Sequence, residues 1–111
     1  MSALLRPATV AEIDGRIAGF VATHFQDGRT WISHLYLAPG FTGRQIGAAL
    51  LAHALEFAER PVRLWAFQRN EGARRFYERH GFLAIDFTDG RSNEEGCPDV
   101  LYELAHQAER N

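Results

Sequence analysis

The hydrophobic period of this chain changes abruptly at Pro39-Gly40, and that change limits the folds open to it. Ahead of the pair, Thr30–Leu37 carries Trp31, Ile32, Leu35, Tyr36 and Leu37, the composition of a strand. Beyond it, from Arg44 onward, Ile46, Leu50, Ala54 and Ala58 recur every four residues with Leu51 and Leu55 beside them, which gives a helix one apolar face. Pro39-Gly40 stops the strand, and Pro61 ends the helix. The middle of the chain is thus a strand, a short turn and a helix.

The flanking segments are short and clearly punctuated. Asp14-Gly15 lies between Val10–Ile13 and Arg16–Phe25, and Gln26-Asp27-Gly28-Arg29 forms the next turn. An Asp-Gly pair favours a tight hairpin, whose two central residues need positive φ. The first third therefore reads as an antiparallel meander. After the helix, Val62–Phe67 reads as a short apolar strand and Asn70 precedes a second helix from Glu71 to about His80, with Gly81 placed to cap its end. Phe82–Thr88 reads as a strand, Asp89–Pro98 as a polar loop and Val100–Leu104 as a closing strand. The order β-β-β-α-β-α-β-β predicts one α+β domain over 1–111, a mixed and mostly antiparallel sheet flanked by helices.

Composition excludes several classes of function. With 12 basic residues, 14 acidic residues and a net charge of −2, the chain has no general attraction for nucleic acid or an anionic membrane. Arg60, Arg63, Arg69, Arg74, Arg75 and Arg79 form the one local basic cluster. A single cysteine, Cys97, precludes an intrachain disulfide, and no Cys/His spacing suggests a metal. No apolar run approaches membrane-spanning length and Met1–Val10 lacks a signal-peptide core, so a cytoplasmic location is expected.

The turn Phe41-Thr42-Gly43-Arg44-Gln45-Ile46-Gly47-Ala48 leads into the first helix. The first amides of a helix lack internal partners and carry partial positive charge, so a phosphate placed there accepts several hydrogen bonds. Gly43 and Gly47 would let backbone approach such a ligand, and Arg44 would add charge. The plainer alternative is that Gly43 permits a turn and Gly47 packs against a sheet. The spacing matches neither a P-loop nor a Rossmann fingerprint.

Together with the later Asn70-Glu71-Gly72-Ala73-Arg74-Arg75-Phe76-Tyr77-Glu78-Arg79-His80-Gly81-Phe82, this turn resembles the GNAT superfamily of N-acetyltransferases. The family turn reads Arg/Gln-x-x-Gly-x-Gly/Ala. Here Gly47 agrees, while Thr42 and Gln45 depart from it. The resemblance implies acetyl-CoA as co-substrate, with its pyrophosphate on Thr42, Gly43, Arg44, Gln45, Ile46, Gly47 and Ala48. It implies that Asn70 holds the pantetheine arm and that Tyr77 protonates the departing thiolate, which a neutral phenol can do at pH 7. It also implies that the strand Trp31–Leu37 splays from Val62–Phe67, so that the backbone of Leu35, Tyr36 and Leu37 bonds the pantetheine amides. Without that resemblance, Phe76 and Tyr77 would simply fill a core and Asn70 would be an N-cap.

An acceptor amine must lose a proton before it attacks. Ser33, His34, Glu12 and His24 are candidates, and His34 is the leading one because an imidazole titrates near neutrality. Strand alternation would put Ser33 and His34 on opposite faces. Asn93, Glu94 and Glu95 would either wall an acceptor pocket that attracts a cationic amine or belong to a solvated loop. The family usually begins with a strand and two helices before the first hairpin, and only Met1–Thr9 precede it here. Either the acceptor pocket is unusually open or a second subunit closes it, and a homodimer is the favoured expectation. The activity expected is acetyl transfer to a primary amine of a small molecule or peptide. A non-catalytic acyl-CoA-binding or regulatory module, or a ligand-free fragment held by a partner, are the alternatives.

Overall fold

The computed structural model describes residues 8–41, 45–56, 58–91, 93 and 95–105. The chain divides into two compact units, Met1–Glu59 and Arg60–Asn111. Six strands and two helices follow one another in the order read from the sequence, and within each unit every strand pairing is antiparallel.

The first unit is a meander of β1 (Ala8–Ile13), β2 (Arg16–Gln26) and β3 (Arg29–Leu37), followed by α1 (Ile46–Glu56). Both hairpins turn on Asp-Gly pairs in the left-handed region, with φ 53° and 78° at Asp14 and Gly15 and 57° and 77° at Asp27 and Gly28. Two central residues at positive φ match the right-handed twist of the flanking strands. The registers are not uniform. Ala11 pairs with Gly19 but Glu12 with Ile17, so Ala18 is an extra residue on β2. Ala22 pairs with His34 but Thr23 with Ile32, so Ser33 is an extra residue on β3. Between these bulges Val10, Phe20 and Tyr36 line up across the three strands.

Helix α1 packs on this meander through Leu50, which is 3% exposed. It can do so because Gly19 has no side chain. A Cβ there would collide with the Tyr36 carbonyl oxygen and lie 3.2 Å from Leu50 Cδ1. Removing a leucine side chain from water contributes about 2 kcal/mol. The helix ends at Glu56, ahead of Ala58 and well short of Pro61, and Ala58 N–H bonds back to the Leu55 carbonyl at 3.3 Å. A three-residue closure of this kind tightens a terminal turn before any proline is needed. Thr30 Oγ1, buried on β3, donates to the Glu59 carbonyl at 2.7 Å and anchors the exit.

The second unit contains β4 (Val62–Phe67), α2 (Glu71–Arg79), β5 (Leu83–Thr88) and β6 (Asp99–Leu104). Strand β6 lies between β4 and β5, and Tyr102 pairs with Leu64 on one side and Ala84 on the other. Ile85 is an extra residue on β5. The centre of the strand trio is apolar, with Val62, Leu64, Val100 and Tyr102 all at 2% exposure or less. Among the described residues no helix is long and apolar enough to cross a membrane.

Candidate active site

The chemistry-bearing residues fall into two groups, one in each unit. In the first unit, Gln45 sits directly ahead of α1. Its carbonyl accepts the Ala49 N–H at 3.1 Å, which makes it the N-cap residue, and its φ is 64°. A left-handed backbone is costly for a residue with a Cβ. Gln45 therefore holds, with a side chain in place, the conformation that glycine adopts freely. Gly47, two residues on, is buried. Ile46 and Ala48 belong to the same first turn of α1, whose amides have no partner within the helix. Thr42, Gly43 and Arg44 lie outside the described residues.

On β3 the bulge at Ser33 changes the side-chain pattern. Simple alternation would separate Ser33 from His34, yet both are exposed. Ser33 Oγ donates to the Ala22 carbonyl at 3.2 Å. His34 and Tyr36 flank Phe20, with ring centroids 6.4 Å and 5.5 Å from it. Leu35 and Leu37 alternate with them and are half-buried, Leu37 facing Gly19. An extra residue in one strand resets which face its successors take. Sequence alternation carries no signal of this.

In the second unit, Asn70 caps α2. Its Oδ1 accepts the Ala73 N–H at 3.1 Å and its carbonyl accepts the Arg74 N–H at 3.0 Å. The other end of the helix closes as a Schellman motif. Gly81 N–H donates to the Glu78 carbonyl at 3.1 Å and Phe82 N–H to the Tyr77 carbonyl at 3.0 Å, with Gly81 at φ 96°. The apolar contact that accompanies such a motif joins Tyr77 to Phe82.

Tyr77 is 9% exposed. Its ring meets Phe76 and Phe82 edge to face, at 5.2 Å and 5.7 Å, and Tyr102 at 6.2 Å. Burial pushes its phenol up to about 12, so the hydroxyl is a neutral donor across the physiological range. Behind it, Tyr102 is fully buried on β6, and its hydroxyl accepts from Arg74 Nε at 3.1 Å and donates to Glu78 Oε2 at 2.7 Å. Burial raises the Tyr102 phenol as well, opposed by the Arg74 hydrogen bond. That same bond raises the Arg74 guanidinium. Arg74 also lies over the Phe87 ring, 5.6 Å from its centroid. Sequence reading overlooked Tyr102, Arg74 and Glu78 as a set. The only local hint is the i, i+4 spacing of Arg74 and Glu78 on one side of α2.

The polar loop after β5 is internally bonded. Asn93 Nδ2 donates to the Cys97 carbonyl at 2.8 Å and to Asp99 Oδ2 at 3.1 Å, while its Oδ1 accepts the Cys97 N–H at 3.2 Å. Gly90 packs so closely on the Cys97 backbone that a Cβ would collide with it. Thr88 Oγ1 donates to Asp99 Oδ1. The Asn93 amide thus holds the loop together. Glu95 is exposed, and Glu94 lies outside the described residues.

A family model for the acetyltransferase (GNAT) family matches residues 4–82. An uncharacterized N-acetyltransferase of Methanocaldococcus jannaschii is 38% identical over an alignment 96 positions long that covers 73% of this chain and 41% of that protein. A Thermoplasma acidophilum paia N-acetyltransferase solved with coenzyme A is 26% identical, with a TM-score of 0.77 over 91% of this chain and 61% of its own. A Bacillus anthracis protein described as a streptothricin acetyltransferase, solved with acetyl coenzyme A, has a TM-score of 0.85 over 96% of this chain and 66% of its own, at 18% identity. That last likeness concerns the fold alone. The chain spans less than half of the methanogen relative and about two thirds of these solved chains.

Proposed function

The chain belongs to the acetyltransferase (GNAT) family, and from that premise we propose that it moves an acetyl group from acetyl-CoA to the primary amine of a small molecule or peptide. Tyr77 carries the reading: its ring is held by a helix cap and three aromatic neighbours, and its hydroxyl stays protonated at neutral pH.

In the first unit, the turn from Thr42 through Gln45 and the first amides of α1, at Ile46, Gly47 and Ala48, receive the pyrophosphate, with Arg44 adding charge. The backbone of Leu35, Tyr36 and Leu37 bonds the pantetheine amides and polarises the acetyl carbonyl. In the second unit, the amide nitrogen of Asn70 reaches the pantetheine arm, since its oxygen is committed to Ala73 N–H. His34, exposed beside Phe20, takes the proton from the attacking amine, with Ser33, Glu94, Glu95 and Asn93 on the acceptor side.

The amine nitrogen attacks the thioester carbonyl, the C–N bond forms, the C–S bond breaks and CoA leaves as thiolate. Tyr77 donates to that sulfur. A phenol near 12 faces a thiol of about 8.5, so complete transfer runs uphill by roughly 3.5 units, or about 5 kcal/mol. Tyr77 therefore acts first as a hydrogen-bond donor to the developing thiolate, and the proton follows or is supplied by water.

Release of free CoA thiol from acetyl-CoA, followed across a panel of primary amines and short peptides with free N-termini, tests the reading. Calorimetric binding of CoA with no thiol release from any acceptor would replace it with the binding-module alternative. A cytoplasmic homodimer belongs to the same proposal, and sedimentation of a monomer at micromolar concentration would remove the dimer.

A further inference from the structure

We propose that Tyr102 is a positioning residue: its hydroxyl, seated between Arg74 and Glu78, sets the rotation of α2 on β6 and thereby the place of the Tyr77 hydroxyl. This rests on the reading of Tyr77 as the donor to the leaving thiolate.

The Tyr102 hydroxyl makes two directional bonds to side chains one helical turn apart, accepting from Arg74 Nε at 3.1 Å and donating to Glu78 Oε2 at 2.7 Å. One hydroxyl on a fully buried strand residue thus grips α2 at two heights. Because residues i and i+4 lie on one helix face, the two bonds keep the Arg74–Glu78 face of α2 turned toward the Tyr102 hydroxyl. Tyr77 lies on the same helix between the two anchors in sequence, and its ring rests on the Tyr102 ring. The side-chain contacts around the Tyr77 ring are apolar and slide easily, since Phe76 and Phe82 meet it edge to face. The Schellman bonds fix the helix end to Phe82, not to β6. Among the described residues, the Tyr102 hydroxyl is thus the directional side-chain link between this helix and β6, while Arg74 Nη1 also donates to the Gln68 carbonyl at 3.4 Å.

A tyrosine hydroxyl stands far from the helix axis, so a small roll moves it a long way. Productive sites hold their groups within about 0.5 Å and roughly 10–20°, and a displacement near 1 Å can cost on the order of 100-fold in rate. Tyr102 touches no reacting atom in this scheme. It acts through Tyr77.

The test uses the full 111-residue chain labelled with 3-fluorotyrosine. Its three tyrosines give three fluorine resonances, assigned by single Tyr→Phe variants. Tyr102→Phe keeps the ring and deletes the hydroxyl. Arg74→Met breaks the same link without altering any tyrosine. Both variants are expected to shift or broaden the Tyr77 resonance and to lower kcat roughly tenfold or more with the best amine of the panel. Acetyl-CoA affinity by calorimetry should stay within about twofold of wild type, a split that general loss of structure would not give. An unmoved, unbroadened Tyr77 resonance in both variants overturns the proposal. So does a Tyr77→Phe/Tyr102→Phe double variant whose rate losses multiply, because residues acting through one another do not add. If Tyr77→Phe alone keeps full turnover while Tyr102→Phe still moves the Tyr77 resonance, the positioning stands and the donor role of Tyr77 fails.

Discussion

The backbone N–H of Phe82 bonds to the carbonyl of Tyr77 at 3.0 Å, and the two rings meet edge to face with centroids 5.7 Å apart. The residue proposed to serve the leaving group is therefore also the residue on which its helix ends. Stability and chemistry share one joint, and Gly81 is its pivot.

Gly81→Ala tests that joint. At φ 96° any L side chain is strained, and the new Cβ would also lie 3.3 Å from Leu104 Cδ1. The expected loss is about 1–2 kcal/mol of unfolding free energy, measured by urea denaturation. A variant as stable as wild type would mean that α2 does not close in this way.

Tyr77→Phe should lower kcat at least tenfold and leave acetyl-CoA affinity within about twofold. The same variant reads out the burial of the phenol. The folded phenol sits at about 12, against about 10 in the unfolded chain. Below about pH 10 both states keep the proton, and stability is flat with respect to this group. Between pH 10 and 12 the unfolded state gives up its proton and the folded state does not, so stability falls as pH rises. The fall is about 2.3 kcal/mol at pH 12 and levels off near about 2.7 kcal/mol above it. Denaturation at pH 9 and pH 11.5 should show wild type losing about 2 kcal/mol relative to Tyr77→Phe. Parallel pH dependence of the two proteins would place the phenol in water.

Gln45→Gly should stabilise the protein by about 0.5–1 kcal/mol, because it removes a Cβ from a left-handed backbone. Gln45→Ala keeps the Cβ and should bring no such gain. Thermal melts of the two variants decide it: equal melting temperatures would contradict the left-handed N-cap.

Asn70→Ala removes both a cap and the proposed pantetheine contact. It should cost about 1 kcal/mol of stability and weaken acetyl-CoA binding. Asn70→Asp keeps an oxygen for the Ala73 N–H but loses the amide donor. Its stability should return while acetyl-CoA affinity, by calorimetry, stays low. Full recovery of both would restrict Asn70 to capping.

Much of the fold is legible because its signals are local. Asp14-Gly15 and Asp27-Gly28 announce hairpins through the φ values that their positions demand. The four-residue period from Ile46 and the Gly81 stop announce helices. Helix α1 ends earlier than Pro61 implies, since a terminal turn closes by its own backbone bond to Leu55. The site is legible only in part. Asn70 and Tyr77 can be named from their motif, but the use of the Asn93 amide inside its own loop cannot.

By itself the sequence determined the order of elements, the hairpin turns, the caps of the second helix and the family, because each rests on residues within a few positions of one another. Tertiary structure decided what depends on partners far along the chain. It put the bulge at Ser33, and so set His34 and Tyr36 beside Phe20, because register is a property of two strands and not of one. It kept Gln45 at positive φ where glycine would be the easy residue. It also seated the Tyr102 hydroxyl between Arg74 and Glu78, 28 and 24 residues away, a contact that no window of sequence contains.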